Sequence, residues 1–257
     1  MAMKIGIFGD SWADINPEQH RRRDLNNLPW GLWLEEMLDA QVTCHANSST
    51  GLWYSFDKFR KFYKKYNKIV FTYTEYGRWN GLEDGYESIS NIREPNQLQW
   101  VVNEDQKEVA TKLVDIHRVL YNDDLNLWIY QQIFNEVNDM CYQAGIDIIN
   151  ILAFEDGKIP INTSKTRGPI FYNMHRISVT EVQASNKLGD YLSQYFDIRF
   201  CHMNPHNNKV LANLIANSFK QPNNNATVHL PIIEDFEYDE KHLEYHFREW
   251  DKSEKRH

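Results

Sequence analysis

Residues 4–12 read KIGIFGDSW. Lys4 to Phe8 is a short apolar run with β-branched Ile5 and Ile7, the composition of a strand. Gly9, Asp10 and Ser11 follow at once, so the serine falls in the first turn after the first strand. In an open α/β sheet that turn lies at the carboxyl edge, where such folds bind ligands. Ser11 is therefore a candidate nucleophile. The alternative is a Gly-Asp-Ser turn in which Ser11 only caps a following helix.

Outward from this stretch, short β-type runs alternate with helical patterns, which predicts an α/β fold with a mainly parallel sheet. Trp30, Trp33, Leu34, Met37 and Leu38 recur at helical spacing, and a second strand is expected around Gln41 to His45. Leu52 to Tyr66 carries an apolar face of Phe56, Phe59, Phe62 and Tyr63. KIVFTYT from Lys68 is the clearest strand. Residues 77–104 lose periodicity and read as an insertion loop. Asp105 to Tyr121 and Leu125 to Gln143 read as helices, the second stopping at Gly145. Ile146 to Leu152 reads as a fourth strand. Gly157 to Thr180 looks irregular, Leu188 to Tyr195 is a short helical approach, and a last helix is expected from about Asn207 to Phe219. One domain over residues 1–220 is expected, with an extension over 221–257. In that extension Leu243, Phe247 and Trp250 recur at helical spacing and offer a face for the domain or for an oligomer partner.

A chain of 257 residues, 42% hydrophobic, can bury a substantial core. Its formal net charge of -8 repels phosphate backbones and anionic membrane surfaces, so neither nucleic acid nor membrane is an expected partner. Cys44, Cys141 and Cys201 are odd in number and widely spaced, which suggests neither a disulfide framework nor a zinc knuckle. The N-terminus carries no secretory pattern and no stretch is apolar enough for a membrane span, so a cytoplasmic location is expected and the NSS, NTS and NAT tripeptides are expected to stay unmodified.

A serine hydroxyl needs a base brought from elsewhere in the fold. His202 is the best candidate, in FCHMNPHNNKVLANLIANSF, where a polar loop with Pro205 precedes an apolar-periodic helix. His202, His206 and His45 could also suggest a metal, but a Pro lies between the first two and no carboxylate stands at matching spacing, so no metal site is expected. Cys201 beside His202 reads as a buried thiol rather than a nucleophile.

With Gly-Asp-Ser after the first strand and His-Met-Asn near the last helix, the sequence resembles the SGNH/GDSL hydrolase superfamily over roughly residues 4–219. The resemblance implies a three-layer α/β/α sandwich with a flavodoxin-like sheet and a serine acyl-transfer site. It assigns Ser11 as nucleophile and first oxyanion amide, His202 as base, and Gly51 in NSSTG as the second oxyanion amide. Gly51 can equally be an ordinary strand-to-helix turn. Two blocks depart from the pattern. TYTEYGRWNG stands where the superfamily has GxND, leaving the Thr74 hydroxyl as replacement donor, with the positive charge of Arg78 and the more distant Asn80 as alternatives. Arg199 stands three residues before His202 where an Asp is usual, so Asp197 or a backbone carbonyl is left to orient the imidazole.

Asp10, Arg78 and Trp79 are the positions expected to meet substrate; Trp53, Tyr76, Trp79, Tyr86 and Trp100 can form an aromatic wall, though most are expected to be core or loop anchors. The resulting expectation is an esterase for a small acyl ester, such as an acetyl ester of a carbohydrate, with no cofactor. The alternatives are a noncatalytic binding module of the same fold and an O-acyltransferase.

Overall fold

The computed structural model describes residues 2–15, 28–47, 50–74, 122–153, 166, 168–172, 203, 205–221, 227–229 and 235–236. In chain order they form β1 (Met3–Phe8), α1 (Trp30–Leu38), β2 (Ala40–Cys44), α2 (Leu52–Phe62), β3 (Lys68–Tyr73), α3 (Asp123–Ala144), β4 (Asp147–Leu152), β5 (Ile170–Tyr172), α4 (Pro205–Lys220) and β6 (Thr227–His229). The six strands make one sheet in the order β2-β1-β3-β4-β5-β6, and every neighbouring pair is parallel. From β1 the chain steps to one side to lay down β2, then returns past β1 to lay down β3, and all later strands follow on that far side. The order of winding therefore reverses between β1 and β3.

Parallel strands buried on both faces read as continuous apolar runs, and β1, β3 and β4 do so. Their alternate residues sort into two cores. Ile5, Ile7, Val70, Ile149 and Ile151 pack with Trp30 and Leu34 of α1 and with Leu211, Ala212 and Ile215 of α4. Phe8, Ile69, Phe71, Tyr73 and Ile148 pack with Phe56 and Phe59 of α2 and with Tyr130, Phe134 and Val137 of α3. Two helical layers thus cover the sheet, giving the three-layer α/β/α sandwich with a flavodoxin-like parallel sheet that the sequence implies.

The ends of the elements have local causes. The Asn122 side chain accepts the Leu125 amide at 2.9 Å to start α3. Gly145, with φ 68°, ends it, and the Ile146 amide bonds back to the Cys141 carbonyl at 2.9 Å. The helix expected from Leu52 to Tyr66 stops at Phe62, and Tyr63–Lys65 continue as a tighter 3-10 turn. At the amino edge of the sheet, Lys68 Nζ reaches Asp147 Oδ2 at 2.9 Å and the Phe219 carbonyl at 3.1 Å, tying β3, β4 and the end of α4 together.

Two expectations are corrected. The stretch from Gly157 to Thr180, read as irregular, contains β5, a run too short to show a period. The sheet also does not stop at residue 220: β6 comes from the presumed extension and pairs with β5, and Phe236 is buried in the core beside α1 and α4. The loop at 77–104, the helices expected at 105–121 and 188–195, and the tail from residue 239 lie outside the described residues. No helix among the described residues is long and apolar enough to cross a membrane.

Asn150 sits in the middle of β4 with no exposure, a polar side chain where a parallel strand calls for an apolar one. Its Oδ1 accepts from Tyr73 Oη at 3.0 Å and from Asn138 Nδ2 at 3.1 Å, while its Nδ2 donates to Asn138 Oδ1 at 3.0 Å. Burial, reinforced by Cys141 and opposed by a hydrogen bond with Asn138, pushes the Tyr73 phenol well above its usual pKa, so it stays a donor. Asn138→Leu keeps the branched shape but leaves Asn150 Nδ2 without its acceptor; urea unfolding is expected to show a loss of about 1–3 kcal/mol.

Candidate active site

The first turn after β1 is closed twice. The Ala13 amide donates to the Asp10 carbonyl at 3.0 Å, and the Trp12 amide donates to Asp10 Oδ1 at 3.2 Å. Such an Asx-supported turn fixes the two middle residues, and Ser11 is the first of them. Asp10 is fully buried, Trp12 and Ala13 are buried, and Ser11 is only half-buried at the corner. Asp10 thus acts inside the turn. Gly9 is required beneath it, because a Cβ there would lie 2.8 Å from Thr72 Cβ and 2.9 Å from Ala13 Cβ.

Residues 14 and 15, which follow the turn, are not helical. Among the described residues the next helix is α1, its N-cap is Pro29, and no side chain caps it, so Ser11 is not the cap of α1. Its position is instead the carboxyl end of β1 beside β3, the point where the winding reverses and where open parallel sheets leave a crevice.

The loop after β2 is fastened to the same edge. The His45 amide donates to the Ile7 carbonyl at 2.7 Å, the Asn47 amide to the Gly9 carbonyl at 3.3 Å, and Thr50 Oγ1 to the Asn47 carbonyl at 2.7 Å. This loop leads to Gly51, buried at the N-cap of α2. A helix N-terminus presents main-chain amides and a partial positive charge. Thr74 follows β3 at this edge and is buried; its hydroxyl and that of Thr72 have no hydrogen-bond partner among the described residues.

His202, Asp197, Arg78 and Trp79 lie outside the described residues. Met203, the residue after His202, is buried in the core that also holds Trp12, Ala13 and Trp30. The structure thus describes Ser11 in the turn after β1, Gly51 at the N-cap of α2 and Thr74 directly after β3, with Met203 sharing a core with the serine turn.

Some neighbours were not singled out by their sequence. Cys44 donates its thiol to the Ala13 carbonyl at 3.3 Å, and Trp30 Nε1 donates to the Trp12 carbonyl at 2.8 Å. Both brace the serine turn through main-chain atoms, which no spacing rule reveals. His45 stacks between Phe8 and Phe62 at 5.0 and 4.6 Å and shares a 2.5 Å hydrogen bond with Tyr66 Oη. Burial, then the charges of Lys65 and Lys58, lower its pKa, which favours the neutral ring. His206 Nε2 bonds to the Asp235 carbonyl at 2.7 Å. Among the described residues no group of three His, Cys, Asp or Glu side chains is placed to hold a metal.

No protein-family model matches the chain, and no curated protein matches it. Among solved structures, it resembles one described as "The active site of a carbohydrate esterase displays divergent catalytic and non-catalytic binding functions", with 16% identity, 85% of this chain and 65% of the other covered, and a TM-score of 0.41. Protein YXIM from Bacillus subtilis matches with 13% identity, coverage of 86% and 57%, and a TM-score of 0.37. The chain thus spans less than two thirds of either structure's length.

Burial, reinforced by the charge of Asp14 and opposed by backbone hydrogen bonds, pushes the Cys44 thiol from an ordinary 9.0 to about 11. The folded chain therefore keeps this proton longer than the unfolded chain, so the site's contribution to stability falls as pH rises from 9 toward 11. At pH 8 the folded thiol is ionised about a hundredfold less than in an unfolded chain. Iodoacetamide followed by peptide mapping at pH 8 should modify Cys44 in urea but scarcely in the native protein; equal rates would contradict this burial.

Proposed function

We propose that this chain is a serine esterase that cleaves a small acyl ester, with an acetyl ester of a carbohydrate as the substrate class. The observation that carries the proposal is Ser11 itself, half-buried at the corner of a doubly closed turn, at the edge where the parallel sheet reverses its winding. The SGNH-like pattern of the sequence supports the same assignment. Trp53 adds to the substrate argument: two residues past Gly51, on the first turn of α2, it is 58% exposed and offers a flat aromatic face on which a sugar ring can stack.

In the proposed reaction His202 accepts the Ser11 hydroxyl proton as Oγ attacks the ester carbonyl carbon. Asp197 or a backbone carbonyl orients the imidazole and stabilises its charged form. The carbonyl oxygen gains negative charge and is held by the amides of Ser11 and Gly51. Thr74 adds its hydroxyl where the substrate oxygen reaches that buried group. Collapse of the tetrahedral species expels the alcohol, which takes the proton from His202. Water then attacks the acyl-Ser11 ester with His202 again as base, releasing the acid and restoring the serine. Asp10 shapes the turn, while Arg78 and Trp79 are proposed to meet the substrate. An alcohol acceptor in place of water would make the same intermediate serve an O-acyltransferase.

Treatment with a fluorophosphonate probe should label one site, and Ser11→Ala should abolish that labelling. His202→Ala should slow it by about a hundredfold or more. Labelling that persists in Ser11→Ala would place the nucleophile elsewhere. Complete absence of labelling in the folded protein would favour a noncatalytic binding module.

A further inference from the structure

Ser11 and the stretch after His202 come from opposite ends of the chain, and the structure holds their neighbours together through one run of hydrogen bonds. Trp30 Nε1 donates to the Trp12 carbonyl at 2.8 Å. The Trp30 backbone amide donates to Asn208 Oδ1 at 3.0 Å, across 178 residues of chain. Asn208 Nδ2 in turn donates to the Met203 carbonyl at 3.1 Å. The series therefore begins at the residue that follows Ser11 and ends at the residue that follows His202.

The arrangement has a physical cause. Trp30 is the first residue of α1, so its amide has no partner within the helix, and the preceding Pro29 has no side chain that can cap it. Asn208, on the first turn of α4, fills that role from another element. A side-chain amide accepts from an N–H through its oxygen and donates to a C=O through its nitrogen, so asparagine joins the two segments where aspartate or leucine would not. Trp12, Trp30 and Met203 are all buried in one core, where such bonds face little competition from water.

We infer that Asn208 and Trp30 are positioning residues for the proposed reaction, holding the segment that carries the base in register with the serine turn. This rests on the esterase reading above. Neither residue touches substrate; their effect is on the geometry in which the serine is activated, and misplacement of a reacting pair lowers rate without weakening binding.

The test uses the full chain, a fluorophosphonate probe, and the variants Asn208→Asp, Asn208→Leu and Trp30→Phe. Asn208→Asp keeps the acceptor for the Trp30 amide and removes the donor to Met203. Asn208→Leu removes both bonds, and Trp30→Phe removes the indole donor while keeping an aromatic ring. The maximal inactivation rate at Ser11 should fall about tenfold in each, with the probe's half-saturating concentration unchanged and with cooperative thermal unfolding retained. Asn208→Leu combined with Trp30→Phe should lose little more than the worse single variant, because the bonds act in series. Wild-type inactivation rates in folded Asn208→Asp and Trp30→Phe, alongside Ser11-dependent labelling of the unaltered protein, would overturn the positioning role and leave the esterase reading standing. No Ser11-dependent labelling of the unaltered protein would overturn both.

Discussion

At the end of β1 the backbone passes so close to β3 that Gly9 has no room for a side chain between Thr72 and Ala13. That close approach sets the turn that follows. Asp10 folds inward, binds the Trp12 amide and closes on Ala13, which leaves Ser11 on the outside of the bend. Because β2 lies on one side of β1 and β3 on the other, the bend stands where two crossovers diverge. The same edge receives the loop from β2 through the Asn47 bond to Gly9, and Thr74 from β3. The position of Ser11 is a consequence of strand order combined with one tight contact.

Bracing then comes from groups whose chemistry is not itself catalytic. Cys44 and Trp30 each donate to a carbonyl of the turn segment, one from the end of β2 and one from the start of α1. Asn208 extends the bracing to Met203. A site assembled from loops requires such support, since a misplaced group loses rate far faster than it loses contact area. Below the other face of the sheet, the buried amides of Asn138 and Asn150 satisfy each other and lock α3 to β4, away from the crevice.

Much of the fold could be read from periodicity. β1, β3, β4 and α1 fall close to where apolar runs and helical spacing place them, because each buries a long, regular set of side chains. β5 and β6 could not be read in the same way: each is three residues, too short for a two-residue period to stand out. At the proposed site, the places of Ser11 after β1 and of Gly51 before α2 were legible because each follows from its position after a strand. Trp30, Cys44 and Asn208 were not, because they act on main-chain carbonyls and amides brought near by folding over as many as 178 residues.

The central claim is that Ser11 Oγ is the atom that attacks an ester, with main-chain amides receiving the charge. A crystal structure of the protein inactivated by a phosphonate ester tests it most directly. The claim predicts tetrahedral phosphorus bonded to Ser11 Oγ, with its phosphonyl oxygen about 3 Å from the amides of Ser11 and Gly51. Phosphorus on another residue, or a phosphonyl oxygen turned away from both amides, would contradict it.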